Sequence, residues 1–267
     1  MNKIALVTGA SAGIGKECAL ELARGGYRVY LAARRKDLLD AMADECGRLG
    51  GAGVAVPTDV AEPAQVQALV DRAVAEAGRV DVMINNAGYG IFARVQETSE
   101  ADMRRIMDVN FMGVFCGCKA VLPVMMRQRS GHILNVSSVI GKRGTPFHGA
   151  YCATKFAIAG LTESLRVEMM PYGVHVTLVC PALTETEFFD RNGGGAARSS
   201  FVKFKKFMSA EAVAKKMVRA IGRRRPEIVF TAGGKFLTLM SAIAPGLIDR
   251  GMKAYHDDLA KGLVAGK

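Results

Sequence analysis

The sequence predicts an α/β fold: a single domain with one doubly wound parallel sheet of about seven strands and helices on both faces. Three observations predict it. Short apolar runs alternate about seven times with segments of helical periodicity. The short runs are continuously apolar, as strands are when both faces of a sheet are covered. A glycine-rich loop closes the first of them. The chain has 267 residues, half of them hydrophobic, and α/β folds commonly use this length as one domain with a sizeable core.

The elements follow in order. Residues 3–8 (KIALVT) form the first strand, and residues 14–24 a helix stopped at Gly25-Gly26. Residues 28–33 (RVYLAA) are the second strand, 36–49 the second helix, 53–57 the third strand and 64–77 the third helix. Residues 80–85 (VDVMIN) are the fourth strand, and 99–129 a long helical region with one or two breaks. Residues 132–137 (HILNVS) are the fifth strand, 150–170 a long helix stopped around Pro171 and Gly173, and 174–180 (VHVTLVC) the sixth strand. A helix at 210–223 and a short seventh strand at 227–230 complete the sheet.

Cys18, Cys46, Cys116, Cys118, Cys152 and Cys180 are scattered without a CxxC pair, which fits free thiols in a reducing compartment. Cys116, Cys118 and His132 are read as core residues, and no metal site is expected. Residues 1–8 contain no apolar signal region, and no uncharged apolar run approaches the roughly 20 residues of a spanning helix. The expected location is the cytoplasm. Residues 1–190 carry 20 Lys+Arg against 20 Asp+Glu, and residues 191–267 carry 16 against 5, so the whole +11 excess is C-terminal.

Between the first strand and helix stands Thr8-Gly9-Ala10-Ser11-Ala12-Gly13-Ile14-Gly15. Glycines permit a tight turn and close backbone approach, and the helix N-terminus adds free N–H groups and a favourable dipole. Gly9, Ser11, Gly13, Ile14 and Gly15 are therefore the expected pyrophosphate cradle of a Rossmann-type dinucleotide site. The second strand ends in Arg34-Arg35, 19 residues after Gly15, where an acidic residue would mark NAD(H). Two guanidiniums suit a ribose 2′-phosphate, so the expected cofactor is NADP(H).

Tyr151 and Lys155, at i and i+4, share one face of the helix at 150–170. A nearby ammonium favours phenolate and lowers a tyrosine pKa that ordinarily lies near about 10, which makes the pair a rational proton donor and acceptor. Ser137-Ser138 close the fifth strand and Asn85-Asn86-Ala87-Gly88 follow the fourth, so both belong at the same carboxyl edge of the sheet.

Together these residues resemble the classical short-chain dehydrogenase/reductase family over about residues 3–186. TGASAGIG, Asp59, NNAG at 85–88, Asn110, Ser138 and YCATK at 151–155 stand in family order, with Ser138 13 residues before Tyr151. The resemblance implies that Tyr151 is general acid in reduction and base in oxidation. It implies that Lys155 lowers the Tyr151 pKa and holds the nicotinamide ribose, that Ser138 binds the substrate oxygen, and that Asn110 anchors a proton-relaying water. Asp59 with Val60 would meet the adenine, Asn86 and Gly88 would line the cofactor, and Thr186 would contact the nicotinamide end. Two departures stand out. Pro181-Ala182 replaces the usual Pro-Gly after the sixth strand, and Ala12 stands where many NADP(H) members are basic.

The leading reading is an NADP(H)-dependent carbonyl reductase or secondary-alcohol dehydrogenase acting on a lipophilic small molecule. A 3-oxoacyl thioester reductase is the alternative within enzymes. A non-catalytic NADP(H) sensor or scaffold is the alternative of another class, but it would need none of Ser138, Tyr151, Lys155 and Asn110. The catalytic and cofactor core is placed at residues 1–190. A substrate lid is placed at 187–208, from Phe188-Phe189 and the glycine-rich 192–197, and a C-terminal extension at 231–267. The basic residues from Lys203 onward and the uncharged 236–248 fit a peripheral membrane contact, an anionic acyl carrier or coenzyme A thioester, or a solvated face beside a packed helix. No recognition motif accompanies the charge, so nucleic acid is not an expected partner. The family resemblance implies a homo-oligomer, dimer or tetramer, paired through helices at 110–129 and 150–170.

Overall fold

The computed structural model describes residues 3–185 and 207–265. Its main sheet has seven parallel strands in the order β3-β2-β1-β4-β5-β6-β9. These are β1 (Ile4–Thr8), β2 (Arg28–Ala33), β3 (Ala52–Pro57), β4 (Val82–Asn85), β5 (Gly131–Val136), β6 (Val174–Cys180) and β9 (Glu227–Val229). The intervening helices are α1 (Gly13–Arg24), α2 (Lys36–Arg48), α3 (Pro63–Ala77), α4 (Glu100–Met107), α5 (Gly113–Gln128), α6 (Gly149–Met169) and α7 (Ala210–Val218). A two-stranded parallel ribbon, β7 (Thr184–Glu185) with β8 (Met208–Ser209), joins the chain on either side of residues 186–206. Helices α8 (Ala232–Ile243) and α9 (Pro245–Ala265) follow the last strand.

Period-2 alternation along the strands divides the core in two. Ile4, Leu6 and Tyr30 pack on α3, α5 and α6, while Ala5, Val7, Val29 and Leu31 pack on α1, α2 and α7. Leu6 and Leu31 are fully buried, and each such side chain stabilises the fold by roughly 2 kcal/mol relative to exposure.

Three predicted segments end differently. The long helical region breaks at a π turn, Asp108–Met112, and not at Pro123 inside α5. The helix predicted to reach residue 223 stops at Val218, because a turn at Gly222 (φ +77°) carries the chain back to the sheet edge. The uncharged stretch at 236–248 is not one helix. Pro245 biases Ala244 out of helical geometry (φ −137°, ψ 63°), and α8 ends there. The helical stretch Glu100–Gln128 is apolar and long enough to cross a membrane by composition, but half of that window is buried and α5 packs on α3, β4 and β5.

Candidate active site

The strand order reverses between β1 and β4, and a cavity of about 1140 Å3 opens at the carboxyl ends of the strands. Loops diverge to either side of such a point, which makes it the binding crevice of open parallel sheets. Thr8, the last residue of β1, ties the two halves together. Its hydroxyl accepts the N–H groups of Asn86 (2.9 Å) and Ala87 (3.1 Å) and donates to the Ile84 carbonyl (3.3 Å). Asn86 Nδ2 donates back to the Thr8 carbonyl at 3.0 Å.

The glycine loop lines one end of the cavity. Gly9 is left-handed (φ +68°), and a Cβ on Gly15 would run into the Gly9 carbonyl. Gly13 and Ile14 line the cavity at the head of α1, where Ala12 provides no side-chain cap and no acid stands in the first turn. Those N–H groups and the helix dipole form a cradle suited to phosphate. Arg35 donates to Ser11 Oγ at 3.1 Å, and Arg34 is exposed at the cavity rim. Asp59 pairs with Arg105 at 2.9 Å and accepts the Ala61 N–H at 3.0 Å. Burial acts to raise its carboxyl, but the Ala61 N–H, Arg105 and, at longer range, Arg34 outweigh burial and hold it below the usual range. Val60 is buried beside Gly113, where a Cβ would lie 3.0 Å from it.

At the other end, three elements bring the reactive groups together. Tyr151 and Lys155 come from the first turns of α6, Ser138 from the end of β5 and Asn110 from the π turn. Tyr151 is 9% exposed and shares a side-chain hydrogen bond with Ser138. Lys155 Nζ donates to the Val136 carbonyl at 2.8 Å and lies 5.4 Å from the Tyr151 ring centroid. Gly88 sits between Asn110 and Lys155: a Cβ there would be 3.0 Å from Asn110 Oδ1 and 3.7 Å from Lys155 Nζ. Asn110 is fully buried, and its side chain accepts the Tyr89 N–H (2.9 Å) and donates to the Tyr89 carbonyl (2.8 Å) and Thr154 (3.2 Å).

The electrostatics correct one sequence expectation. The i, i+4 spacing predicts a lowered Tyr151, yet its phenol is raised: burial dominates, Cys152 adds to it, and the Ser138 hydrogen bond only partly opposes it. Burial instead acts on the lysine, lowering Lys155 to about 8, with Cys180 as a smaller opposing influence. The phenol is therefore held in its protonated form. His148, three residues before Tyr151, also lines the cavity. Its Nδ1 faces the Pro146 carbonyl at 3.0 Å, and burial holds the ring below the usual histidine range.

The structure thus brings Gly9, Ser11, Gly13, Ile14, Arg34, Arg35, Asp59, Val60, Asn86, Gly88, Ser138, Tyr151 and Lys155 to one cavity, with Gly15 and Asn110 directly behind its wall. Thr186 lies outside the described residues, as do residues 187–206 of the lid expected at 187–208. Ala182 lines the cavity without left-handed backbone, so alanine is accommodated there. Both His132 nitrogens are engaged, donating to Thr177 Oγ1 (2.8 Å) and accepting the Gly222 N–H (3.1 Å) at Nδ1, with the His175 ring edge-on at 5.6 Å, while Cys118 sits against Asn85 and Asn135. Sequence reasoning missed the far wall, supplied by Leu237, Met252 and Tyr255 of α8 and α9. Its only signal was the apolar stretch at 236–248. Thr8 was also missed, although a polar residue ending a buried strand beside the glycines could have suggested its part.

A family model described as short chain dehydrogenase matches residues 3–194. A 3-ketodihydrosphingosine reductase of Bacteroides thetaiotaomicron is 38% identical over 188 residues, 70% of this chain and 66% of its own length. A 3-oxoacyl-[acyl-carrier-protein] reductase of Staphylococcus epidermidis is 39% identical over 182 residues, 68% of this chain and 75% of its own. Among solved structures, a short chain dehydrogenase/reductase of Burkholderia phymatum in complex with NAD superposes with TM-score 0.83 at 31% identity, covering 92% of this chain and 95% of its own. An alcohol dehydrogenase of Thermococcus sibiricus complexed with 5-hydroxy-NADP gives TM-score 0.76 at 30% identity, covering 85% and 95%.

Proposed function

The chain belongs to the short-chain dehydrogenase/reductase family, and on that premise we propose that it is an NADP(H)-dependent oxidoreductase converting a lipophilic ketone to its secondary alcohol, or the reverse. One observation carries the reading: Tyr151, Ser138 and Lys155 line the same cavity as the phosphate-suited glycine loop. The residues present fit a nicotinamide dinucleotide, since the cradle around Gly9 and Gly15 has no room for a Cβ and α1 opens uncapped. When bound, the cofactor supplies the hydride.

The chain's own groups handle the oxygen and the proton. Ser138 holds the substrate oxygen beside the Tyr151 phenol, and Tyr151 donates its proton as that oxygen gains charge. Lys155, as ammonium, offsets the phenolate left behind. The Asn110 side chain, held by Tyr89 and Thr154, fixes the π turn across Gly88 from Lys155, where Asn110 would anchor a relaying water. Arg34 and Arg35 support NADP(H) over NAD(H), because Arg105 already matches the Asp59 charge next to them.

The apolar wall made by Val139, Ile140, Leu183, Leu237 and Met252 supports a lipophilic substrate. Of the relatives above, one is named for a 3-keto group and the other for a 3-oxoacyl group on acyl carrier protein; the second name supports a 3-oxoacyl thioester as second reading. On this reading residues 231–265 extend the same domain and wall the cavity, and the exposed apolar side chains of α5 and α6 pair two copies. The test is NADPH oxidation across long-chain ketones, 3-oxoacyl thioesters and short ketones. Turnover that favours the long-chain ketones is expected. Consumption of NADH but not NADPH would overturn the cofactor assignment, and equal rates for short and long ketones would overturn the lipophilic one.

A further inference from the structure

We propose that the outward face of α8 and the start of α9 docks on an anionic lipid surface, setting the cavity mouth against the bilayer. Phe236, Leu239 and Ile243 recur at helical spacing along α8, and Leu247 stands at the start of α9 just past the Ala244–Pro245 break; they are 64%, 58%, 68% and 60% exposed. The helix is held in this orientation from its other side. Gly234 is buried, and a Cβ on it would lie 3.2 Å from Val139 and 3.3 Å from Val229. α9 is fastened as well, through the Arg143–Asp249 ion pair and a stack of His256 on Phe147 at 5.3 Å. The stripe is therefore presented to the outside by a fixed scaffold.

The stripe is continuous with the cavity, because Phe236 is both exposed and part of the cavity wall. It is also bordered by positive charge. Lys235 precedes Phe236, and Lys216, Lys235 and Arg225 lie close enough to feel one another, which with burial lowers Lys216. Arg250 follows Leu247 by one helical turn. None of these four forms an ion pair with a described residue.

This combination selects among occupants. A second copy seated on the same face would bring like charges together, at a cost an anionic surface reverses. An acidic protein would match the charge but leave four large, more than half-exposed apolar side chains without an apolar partner, which a bilayer interface supplies. α8 has 12 residues, far short of the roughly 20 needed to span, so it lies in the interface with its apolar face down. The purpose of the docking, admitting a lipophilic ketone from the bilayer, rests on the reactivity proposed above; the binding itself does not.

The test uses the full chain and no substrate, so its failure is separate from a failure of turnover. Flotation is measured with phosphatidylcholine vesicles containing about a third phosphatidylglycerol, and with phosphatidylcholine alone. Binding to the anionic vesicles that weakens with added salt is expected. The Leu239→Asp/Ile243→Asp double variant should lose on the order of tenfold or more of that binding, while NADPH titration shows the fold intact. A Lys235→Glu/Arg250→Glu variant should lose the preference for anionic vesicles. The proposal fails if the parent chain does not float, or if parent and double variant float equally. It also fails if the double variant instead changes the oligomer mass, or abolishes binding to an isolated acyl carrier protein in a chain that ignores vesicles.

Discussion

Lys155 is the residue whose surroundings most constrain the chemistry. A lysine 4% exposed and lowered to about 8 loses its ammonium as pH rises through that value. On the proposed mechanism, kcat/KM for ketone reduction should fall above about pH 8; a rate flat to pH 10 would contradict the assigned part for Lys155. Tyr151→Phe removes the donated proton while keeping the ring, and turnover should drop by roughly a hundred- to ten-thousand-fold with NADPH affinity nearly unchanged. An Arg34→Ala/Arg35→Ala variant should bind NADPH roughly ten- to a hundredfold more weakly, as expected for losing charge-assisted contacts to phosphate, and bind NADH as before; fluorescence titration of both nucleotides decides it. At this scale the sequence was informative about identity and poor on environment. Tyr151 and Lys155 could be named from their spacing and Ser138 from the family resemblance, but the raised Tyr151 phenol follows from burial, which no spacing encodes.

At the scale of elements, the strands were the most legible part. β2 and β6 match their predicted limits, because a strand covered on both faces is a continuous apolar run between polar or glycine stops. The π turn was not legible. The sequence predicts one or two breaks in 99–129 without placing them, and nothing in residues 108–112 (DVNFM) marks the π turn, which depends on Asn110 reaching Tyr89 and Thr154, a contact made only in the fold. The join between β5, β6 and the turn after α7 is likewise invisible in sequence, and it has a pH consequence. His132 is 2% exposed and bridges Thr177 of β6 to the Gly222 N–H, and burial, with His175 adding to it, lowers the ring from 6.5 to about 4. Between those values the unfolded chain holds a proton that the folded chain refuses. Stability from this group is therefore complete above about pH 6.5 and is lost as pH falls toward 4, by about 3 kcal/mol. Urea melts across that window should show the slope, and His132→Gln should flatten it even if it lowers stability overall. An unchanged slope would mean that other groups govern the acid side.

Over the whole molecule, two separate apolar surfaces stand out among the described residues, and their charge surroundings differ. One lies on the two long helices: Phe115 of α5 is 37% exposed, and Phe156 and Val167 of α6 are 46% and 63%. The other is the basic-bordered stripe of α8 and α9. The even charge of residues 1–190 and the excess in 191–267 foreshadowed this division, but only the three-dimensional arrangement shows which apolar residues of each part face outward. The face on α5 and α6 carries charges of both signs, Lys119 one turn after Phe115 and Glu163 one turn before Val167, so its own copy can cover it without a net like-charge clash. On the pairing proposed for α5 and α6, Phe156→Glu/Val167→Glu would force unpaired carboxylates into the contact, at a cost of several kcal/mol for each buried charge. That is comparable to the whole surplus by which a modest interface overcomes the entropy of association. Light scattering should then show the variant as a monomer, and an unchanged mass would place the contact elsewhere. Because the two faces lie on different helices and have no residue in common, their effects should add independently. The same variant should keep its vesicle binding per chain, apart from the avidity a dimer gains by presenting two stripes at once.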